Sequence, residues 1–584
     1  MVKYLQNFST MHLCLFSILI SVALSGNGLD VKNQLLLMPL PKQVTANYNS
    51  ADSVIITSAL NYIVGTNCDD NCKDFLTDNF NHTITTSLKR QEGLDDFKVS
   101  LHEGIDIPHY EPNPLATIET VSIELVSMDV FTKIPKASND VFPRLNIGID
   151  ESYSLSITKD GITIKGSTVY GIRHGMETLI QLVRIADDKK FYISQIPIEI
   201  SDEPRFRWRG LMVDPARNVL SPPTFYNIID SLASIKCNVL HIHLSDGQTF
   251  TFESKDYPEL SKKGMFDQTK VFTQEIVKEL SDYGRKRGVI VYGEVDIPGH
   301  AAAWGLGYPE IVADCWDYLV RHNFIYGENI PCLNPASEKT WSVVSSVLRE
   351  VGETFGNDFV HIGGDEVRTS AWSESKEAQA IKEYMTKHNI GSYRQLETHF
   401  NKFAQDEVLK NKKTPIAWEE VYTNGAANKD TIIHVWSDIR LLNRLTLEGY
   451  KGIFSAGFYL DRQMPLCVGY DRQRTCMNSQ YMWVWVNRDF YSNDPVKSFT
   501  PAQLENVYGG EGCSWGESCD DQNFFDRVFQ RFSAIAERLW SESSVTNPNS
   551  HEVRANYVRC LDLRRGFFKG TGPLYHSYCQ HIEE

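Results

Sequence analysis

From about residue 204 onward, short apolar runs alternate with amphipathic helical stretches. Eight runs have the β-branched and aromatic character of buried parallel strands: 210–214, 239–245, 289–296, 359–363, 415–419, 431–436, 452–456 and 508–513. Helical patterns lie between or after them at 273–286, 341–353, 396–409 and 525–540. Eight strands with intervening helices predict an α/β fold, a (β/α)8 TIM barrel over residues 205–584.

The part of the chain before the barrel has a different pattern. Short alternating strands at 153–157 and 161–165, followed by a helical stretch at 168–183, predict a smaller α+β domain over residues 26–204. Residues 1–25 carry Lys3, an apolar run at 11–24 and a small-residue ending, which is the pattern of a signal peptide too short to span a bilayer. We therefore expect a protein of the secretory pathway, lysosomal or secreted.

Composition limits the classes of partner. A chain of 584 residues, 42% of them hydrophobic, suits a globular protein with more than one domain and sizeable cores. A formal net charge of −16 at pH 7 disfavours nucleic acid and anionic membrane surfaces as partners.

Ten of the 12 cysteines fall into five near-neighbour pairs, which in an oxidising compartment favours local disulfides. The pairs are Cys68 with Cys72, Cys315 with Cys332, Cys467 with Cys476, Cys513 with Cys519, and Cys560 with Cys579. The sequence leaves the connectivity open, and a zinc site is the weaker alternative because the chain has no pair of C-x-x-C units. Asn81-His82-Thr83 is an acceptor triplet for N-glycosylation at Asn81.

Polar, acidic and aromatic side chains follow nearly every predicted barrel strand. In a TIM barrel the carboxyl ends of the strands carry the chemistry. Aromatic faces stack on the C–H faces of sugars and carboxylates bind hydroxyls, so this composition predicts a carbohydrate site. The residues at these ends are Asp214, Arg217, His243, Asp246, Asp296, His300, Asp365, Glu366, Trp418, Glu419, Trp436, Tyr459, Asp461, Trp515 and Glu517.

The stretch from 359 to 367 reads F-V-H-I-G-G-D-E-V. Its apolar part is typical of a buried strand, and the two glycines leave room for a ligand to approach the backbone. Asp365 and Glu366 then leave the strand in different directions, so one carboxylate can face a substrate bond while the other holds another part of the substrate. An arbitrary acidic pair is more often a solvated turn, so this interpretation depends on the other strand ends.

Six motifs closely resemble the β-N-acetylhexosaminidases of glycoside hydrolase family 20, in particular the lysosomal and secreted eukaryotic branch. They are R-G-L-M-V-D at 209–214, H-I-H-L-S-D at 241–246, D-I-P-G-H at 296–300, H-I-G-G-D-E-V at 361–367, A-W-E-E-V at 417–421 and C-S-W-G-E at 513–517. The resemblance covers the barrel strongly and the preceding domain more weakly. It implies removal of terminal, non-reducing β-linked GlcNAc or GalNAc, and a homodimer without a metal or organic cofactor.

The resemblance also implies a retaining reaction in which the substrate's own 2-acetamido group is the nucleophile. Glu366 matches the general acid, which later acts as the base. Asp365 matches the group that orients the acetamido N–H and stabilises an oxazolinium-type intermediate, and Tyr459 the donor to the acetamido oxygen. Asp246 and His300 match a relay that keeps Glu366 protonated in mildly acidic conditions.

The remaining implied roles concern binding of the terminal sugar. Arg209 and Glu517 match residues that bind its 3-, 4- and 6-hydroxyls, and Asp461 joins Glu517 near the 6-position. Arg462 follows and could pair with a 6-sulfate. Three tryptophans are expected to wall the pocket: Trp418, Trp436 and Trp515.

Two departures from the family pattern lie near the predicted site. Gly247 stands where a second aspartate is common after H-x-H-x-x, so support from a second carboxylate is missing there. Residues 215–218 read P-A-R-N where other residues are common, which leaves the role of Arg217 open.

Three alternatives compete with this interpretation. His241 and His243 form a pair that binds metals in other barrel enzymes, which would make the protein a metal-dependent hydrolase. A carbohydrate-binding protein that has lost catalysis would keep the tryptophans, but the presence of Asp365, Glu366 and Tyr459 together argues against such loss. An enzyme that cuts chitin internally differs in the shape of its site, which the sequence does not determine.

Overall fold

The computed structural model describes residues 35–94, 96, 100–101, 105–106, 112–126, 145–324, 329–461 and 487–567. Four predictions lie wholly or partly outside these residues. They are the signal peptide, the role of Arg462, and the cysteine pairs that include Cys467, Cys476 and Cys579.

The amino-terminal domain contains two main sheets. One has six strands in the order β1-β12-β8-β9-β7-β3 and the other has four in the order β10-β11-β2-β6, beside a two-stranded ribbon of β4 and β5. The strands are β1 (Gln43–Ala46), β2 (Asp52–Ile56), β3 (Asn61–Val64), β4 (Ser100–Leu101), β5 (Ile105–Asp106), β6 (Asn113–Thr117), β7 (Thr120–Leu125), β8 (Tyr153–Thr158), β9 (Gly161–Gly166), β10 (Arg184–Ile185), β11 (Phe191–Ser194) and β12 (Ile198–Asp202). The predicted α+β character of this domain is confirmed.

The remainder of the chain is built on a closed, all-parallel barrel of eight strands. Its strands are β13 (Trp208–Val213), β14 (Val239–His243), β15 (Ile290–Glu294), β16 (Phe359–His361), β17 (Thr414–Trp418), β18 (Ile432–Val435), β19 (Gly452–Phe454) and β20 (Val507–Ser514). Each falls on one of the eight apolar runs, because strands covered on both faces must be apolar throughout. The predicted TIM barrel is confirmed.

Helices surround the barrel, and one helix of the amino-terminal domain packs against β8 and β9. They are α1 (Asp70–Phe80), α2 (Thr86–Gln91), α3 (Val169–Gln181), α4 (Pro222–Ser234), α5 (Glu259–Gly264), α6 (Gln274–Arg287), α7 (Ala302–Gly307), α8 (Trp316–Arg321), α9 (Glu338–Phe355), α10 (Ser370–Ser373), α11 (Ala378–Lys387), α12 (Tyr393–Lys410), α13 (Glu419–Thr423), α14 (Ile439–Leu447), α15 (Asn487–Ser492), α16 (Pro501–Leu504), α17 (Gln530–Trp540) and α18 (Pro548–Arg565).

Helix α6 illustrates how local sequence sets these bounds. The Thr273 side chain accepts the Ile276 N–H at the amino end, and Gly288 ends the helix with φ 76°. Val277 and Leu280 repeat at helical spacing and are buried, so the apolar stripe turns towards the barrel.

A buried ion network joins the two domains at the amino end of β13. Glu151 of the first domain accepts from Arg209 at 2.6 Å and lies 2.9 Å from His174 Nε2. Beside it, Lys236 donates to Asp202 at 3.0 Å. All five side chains are buried, so the ion pairs are shielded from water and depend on one another.

The cysteine prediction is confirmed for one pair and wrong for two. Cys68 and Cys72 form a disulfide across the first turn of α1. Cys315 and Cys332 are buried thiols, and the Cys332 sulfur points at the carbonyl oxygen of Ile330, 3.4 Å away. Cys513 and Cys519 are also buried thiols, and Cys513 packs against the pocket residues Trp418 and Trp515.

The predicted glycosylation triplet lies within a helical segment. Asn81 is exposed at the start of the turn Asn81–Thr85, which continues α1. Thr83 is buried, and its hydroxyl donates to Glu177 at 3.5 Å. Glycosylation of Asn81 stays a prediction.

In the part of the chain that the structure describes, no helix has the length and hydropathy needed to cross a membrane.

Candidate active site

The two carboxylates after β16 occupy different environments. Gly363 and Gly364 have φ of 64° and 101°, a turn that only glycine adopts readily, and the chain then reaches Asp365 and Glu366. Asp365 is buried, whereas the Glu366 side chain is 47% exposed. Glu366 itself has φ 47°, which is unusual for a residue with a side chain and typical of a functional site. The turn therefore directs one carboxylate inward and the other into open space.

His300 lies between these carboxylates and a third one. Its Nδ1 is 3.2 Å from Asp246 Oδ1, and its Nε2 is 3.8 Å from Asp365 Oδ2 and 3.9 Å from Glu366 Oε2. Burial lowers the pKa of His300, but the Asp246 carboxylate outweighs it, so the pKa is raised above its ordinary value. The Asp246 carboxylate thus favours the protonated imidazole, whose Nε2 faces both carboxylates.

Arg217 is a centre of positive charge in the site. It follows β13, and its guanidinium is 2.7 Å from Asp246, 3.0 Å from Asp214 and 3.6 Å from Glu517. It also lies over the Trp515 ring, 4.5 Å from the centroid. Although burial opposes ionisation, Arg217 and His300 hold the pKa of Asp246 well below its usual range.

The predicted tryptophans meet on one side of the carboxylates. Trp418 is fully buried at the floor, and its indole N–H donates to Glu294 at 2.7 Å. Trp515 packs against it, with ring centroids 5.9 Å apart. The partly exposed Trp436 lies 6.1 Å from Tyr459, and these rings form the wall.

Two further predicted residues complete this part of the pocket. The Tyr459 hydroxyl is hydrogen-bonded to Trp515, and burial raises the pKa of Tyr459 well above its usual value, so the hydroxyl keeps its proton as a donor. Asp461 follows two residues later and is 9% exposed. Its carboxylate is close enough to raise the pKa of Tyr459 further.

Below the pocket, a buried network of histidines and glutamates fills the barrel. The ring nitrogens of His241 face Glu511 at 3.1 Å and Glu294 at 3.0 Å. Those of His243 face Glu294 at 2.6 Å and Asp246 at 2.9 Å. Both nitrogens of each ring are thus directed at carboxylates, which gives the pair a role in holding Asp246 and Trp418. Ligand atoms of His241, Glu294 and His361 lie within 4.8 Å of one another, so the metal-dependent alternative stays a prediction.

One predicted binding residue lies elsewhere. Arg209 is the second residue of β13 and is fully buried at the amino end of the barrel. Its guanidinium binds Glu151, the Phe206 carbonyl at 2.7 Å and the Lys236 carbonyl at 2.9 Å. The prediction that Arg209 binds sugar hydroxyls is therefore wrong, and Arg217 is the arginine that lies among the pocket residues.

Glu420 is a pocket residue without a predicted role. Its carboxylate accepts the Trp436 indole N–H at 3.1 Å, and it is close enough to Asp365 to interact with it. Burial, helped by Asp365, raises the pKa of Glu420 to about 8, so the group is neutral in mildly acidic conditions. The only sequence signal was its place in A-W-E-E-V, directly after a strand end.

Comparison with known proteins decides the family. Residues 206–543 match the family described as glycosyl hydrolase family 20, catalytic domain. The chain belongs to glycosyl hydrolase family 20. Residues 37–182 of this family 20 chain match a second description, beta-acetyl hexosaminidase like. The protein is thus a glycoside hydrolase of the β-hexosaminidase class, as its motifs predict.

Individual relatives of this family 20 enzyme agree. Beta-hexosaminidase subunit beta of Entamoeba histolytica is 56% identical, over 97% of this chain and 99% of that protein. The human beta-hexosaminidase subunit beta is 32% identical, over 81% of this chain and 80% of its own. The solved Flavobacterium johnsoniae chitobiase has a TM-score of 0.71 and 28% identity, over 92% of this chain and 74% of that one.

Replacing Glu420 by alanine is expected to raise KM about three- to tenfold with little change in kcat. The reason is that Trp436 loses the hydrogen bond that holds its ring, which weakens ground state and transition state alike. Glu420→Gln keeps an acceptor for the indole and is the matched control. Steady-state kinetics on an aryl N-acetyl-β-glucosaminide checks this, and equal KM values for the two variants would contradict it.

Proposed function

We propose that this enzyme removes terminal, non-reducing β-linked GlcNAc or GalNAc by a retaining, substrate-assisted reaction. The observation that carries the proposal is the divergence of Asp365 and Glu366, one buried and one half-exposed, with their carboxylates 3.8 and 3.9 Å from the same nitrogen, Nε2 of His300. Retaining enzymes with a protein nucleophile flank the bond with two carboxylates. Here the two carboxylates are adjacent in the chain, so the acetamido group of the substrate is the proposed nucleophile.

Glu366 is the proposed general acid, and later the base that activates water. Its exposure allows it to reach the glycosidic oxygen, and its carboxylate lies 3.9 Å from His300 Nε2. Asp246 orients the imidazole of His300, because Asp246 Oδ1 lies 3.2 Å from His300 Nδ1.

Asp365 and Tyr459 are the proposed partners of the acetamido group. Asp365 would accept the acetamido N–H and stabilise the positive charge of an oxazolinium-type intermediate. Tyr459 would donate to the acetamido oxygen and so set its direction of attack. Trp418, Trp436 and Trp515 provide the apolar surface against which the acetamido methyl and the sugar face pack.

The exo specificity proposed here rests on polar groups on the Trp515 side of the pocket. Glu517 is exposed there beside Arg217, and Asp461 lies near Tyr459. Both acidic groups would accept hydroxyls of a neutral terminal sugar. Contact of Arg462 with a 6-sulfate remains a hypothesis, and an Arg462→Ala variant with undiminished activity on a 6-sulfated substrate would remove it.

We further propose that the enzyme works in the secretory pathway, lysosomal or secreted, as a glycoprotein and a homodimer. The Cys68–Cys72 disulfide supports an oxidising environment. The dimer follows from the family resemblance.

The test compares an aryl N-acetyl-β-glucosaminide with the corresponding aryl β-glucoside at mildly acidic pH. Only the first should be cleaved, because the glucoside lacks the proposed nucleophile. Similar rates on both substrates would mean that a protein carboxylate attacks. Cleavage of neither would contradict the proposed specificity.

A further inference from the structure

Three buried residues beneath the pocket are the last residues of their strands. They are His243 of β14, Glu294 of β15 and Trp418 of β17. His243 and Glu294 are partners in the register of these neighbouring strands. All three side chains are at most 1% exposed. The parallel barrel therefore gathers them at the end that carries the pocket.

Glu294 binds in two directions, because its two carboxylate oxygens have different partners. Oε1 accepts the Trp418 indole N–H at 2.7 Å and lies 3.0 Å from His361 Nδ1. Oε2 lies 2.6 Å from His243 Nδ1 and 3.0 Å from His241 Nε2. Glu294 thus connects the floor of the sugar pocket with His243.

His243 continues this series of contacts towards the general acid. Its Nε2 lies 2.9 Å from Asp246 Oδ2, and Asp246 Oδ1 lies 3.2 Å from His300 Nδ1. Because an ionised carboxylate only accepts, the His243 ring donates a hydrogen bond from each nitrogen. A continuous series of polar contacts therefore runs from Trp418 to His300, and none of them is longer than 3.2 Å.

We propose that His243 and Glu294 are positioning residues that couple the fit of the acetamido group on Trp418 to the alignment of Glu366. The inference rests on the proposed function, in which Trp418 receives the acetamido group and Glu366 is the acid. Glu294 fixes the Trp418 ring through its N–H, and His243 fixes the Asp246 carboxylate that orients His300. A substrate whose 2-substituent packs poorly on Trp418 thereby loses alignment of the acid as well as binding.

Asp246 has further supports that remain when His243 is replaced. Arg217 lies 2.7 Å from Asp246 Oδ2, and the Gly247 N–H donates to Asp246 Oδ1. The His243 ring also packs edge-on against Trp515, with ring centroids 5.1 Å apart. Small polar replacements of His243 lose this packing alike, so a difference between two of them reports on hydrogen bonds.

Two neutral variants separate the two contacts of His243. In His243→Asn, the carboxamide lies near the place of Nδ1 and can donate to Glu294, but it is too short to reach Asp246. In His243→Gln, the carboxamide nitrogen reaches the place of Nε2 and can donate to Asp246, whereas Oε2 of Glu294 loses this donor. Each variant is thus the matched control of the other.

The coupling predicts opposite kinetic results for the two variants. His243→Asn should lower kcat about tenfold on a β-linked N-acetylglucosamine disaccharide, whose leaving group needs a proton. The loss should be much smaller on an aryl N-acetyl-β-glucosaminide with a strongly acidic phenol, and KM should stay unchanged. His243→Gln should raise KM about three- to tenfold on both substrates at a nearly unchanged kcat, because the Trp418 floor is less well held.

The same changes of kcat and KM in both variants would overturn the proposal, since that is the result of a purely structural role. Wild-type kinetics in both variants would also overturn it. The thermal midpoint of each variant shows whether it is folded. If neither folds, Trp418→Phe removes the indole N–H from the series and leaves the buried charges in place. The dependence of kcat on the leaving group should then increase about threefold, and an unchanged dependence would contradict the coupling.

Two measurements on the wild type complete the test. The comparison of the acetamido substrate with the aryl β-glucoside tests the proposed function by itself. Equal cleavage of both would refute that function, whereas acetamido dependence together with indistinguishable His243 variants refutes only the coupling. Elemental analysis is the second measurement, because ligand atoms of His243, Asp246 and Asp296 lie within 4.8 Å of one another. One equivalent of bound metal at this place would replace the hydrogen bonds of His243 and overturn the proposal.

Discussion

Replacing Glu366 by glutamine is expected to lower kcat about 10²- to 10⁴-fold for a glycoside with a poor leaving group. The variant keeps the size of the side chain but has no proton to give to the glycosidic oxygen. Its environment should survive the change, because the Glu366 side chain is half-exposed and its nearest charged partner, His300 Nε2, is 3.9 Å away. Single-turnover and steady-state rates on the two leaving-group classes measure the effect.

The leaving group provides the internal control. A strongly acidic phenol leaves without protonation, so formation of the intermediate should be far less affected in Glu366→Gln than with a sugar leaving group. Glu374→Gln changes another acidic side chain of similar exposure, 45%, and should behave as wild type. Equal loss on both leaving groups would contradict an acid role and indicate a general disturbance of the pocket.

The barrel could be predicted from the sequence because its strands are covered on both faces. β19, with only Gly452–Phe454, is as apolar as the longer strands, and its run is visible without any alternation. The predicted and observed bounds of the strands differ by a few residues. For β15, the predicted run is 289–296 and the observed strand is Ile290–Glu294. Those residues have strand-like character, but they form the loops that carry the site, and periodicity does not separate the two.

Two arginines near opposite ends of β13 show where the sequence was insufficient. Arg209 and Arg217 are eight residues apart and chemically the same. Arg209 is the second residue of the strand and therefore lies at the end opposite the site, where it meets Glu151, 58 residues earlier in the chain. The rule that chemistry lies at the carboxyl ends of the strands favours Arg217 over Arg209, but the family resemblance outweighed it.

Contacts between distant residues account for the rest. Asp296 meets Gly364 across 68 residues, and Trp208 donates to Glu511 across 303. A sequence shows only that these residues lie in or beside apolar runs. Which carboxylate is buried, and which keeps a proton, depends on the neighbours that the fold brings together. The contact of Asp296 with the turn before Asp365 was therefore not predictable, although both aspartates were among the strand-end residues.

Replacing Glu151 by alanine is expected to lower the free energy of unfolding by about 3–5 kcal/mol, the usual result of removing one partner of a buried ion pair. Arg209 would keep its charge in a site without water, and His174 would lose its partner at 2.9 Å. Glu203→Ala is the matched control, because its pair with Lys42 is exposed and should contribute less than about 1 kcal/mol. Chemical denaturation of both variants measures the difference.

The same cluster predicts how stability responds to acid. Burial opposes the charge on Glu151, but Arg209 and His174 lower its pKa to about 2, while burial lowers the pKa of His174 to about 4. The unfolded chain takes up protons at His174 below about pH 6.5 and at Glu151 below about pH 4.3, so acidification favours unfolding across that range. In Glu151→Ala, the loss of folding stability that Glu151 causes below about pH 4.3 should be absent. The KM on the acetamido substrate should stay unchanged at neutral pH. An increased KM would instead restore Arg209 to the substrate site, because Arg209 is the ion-pair partner of Glu151 at 2.6 Å.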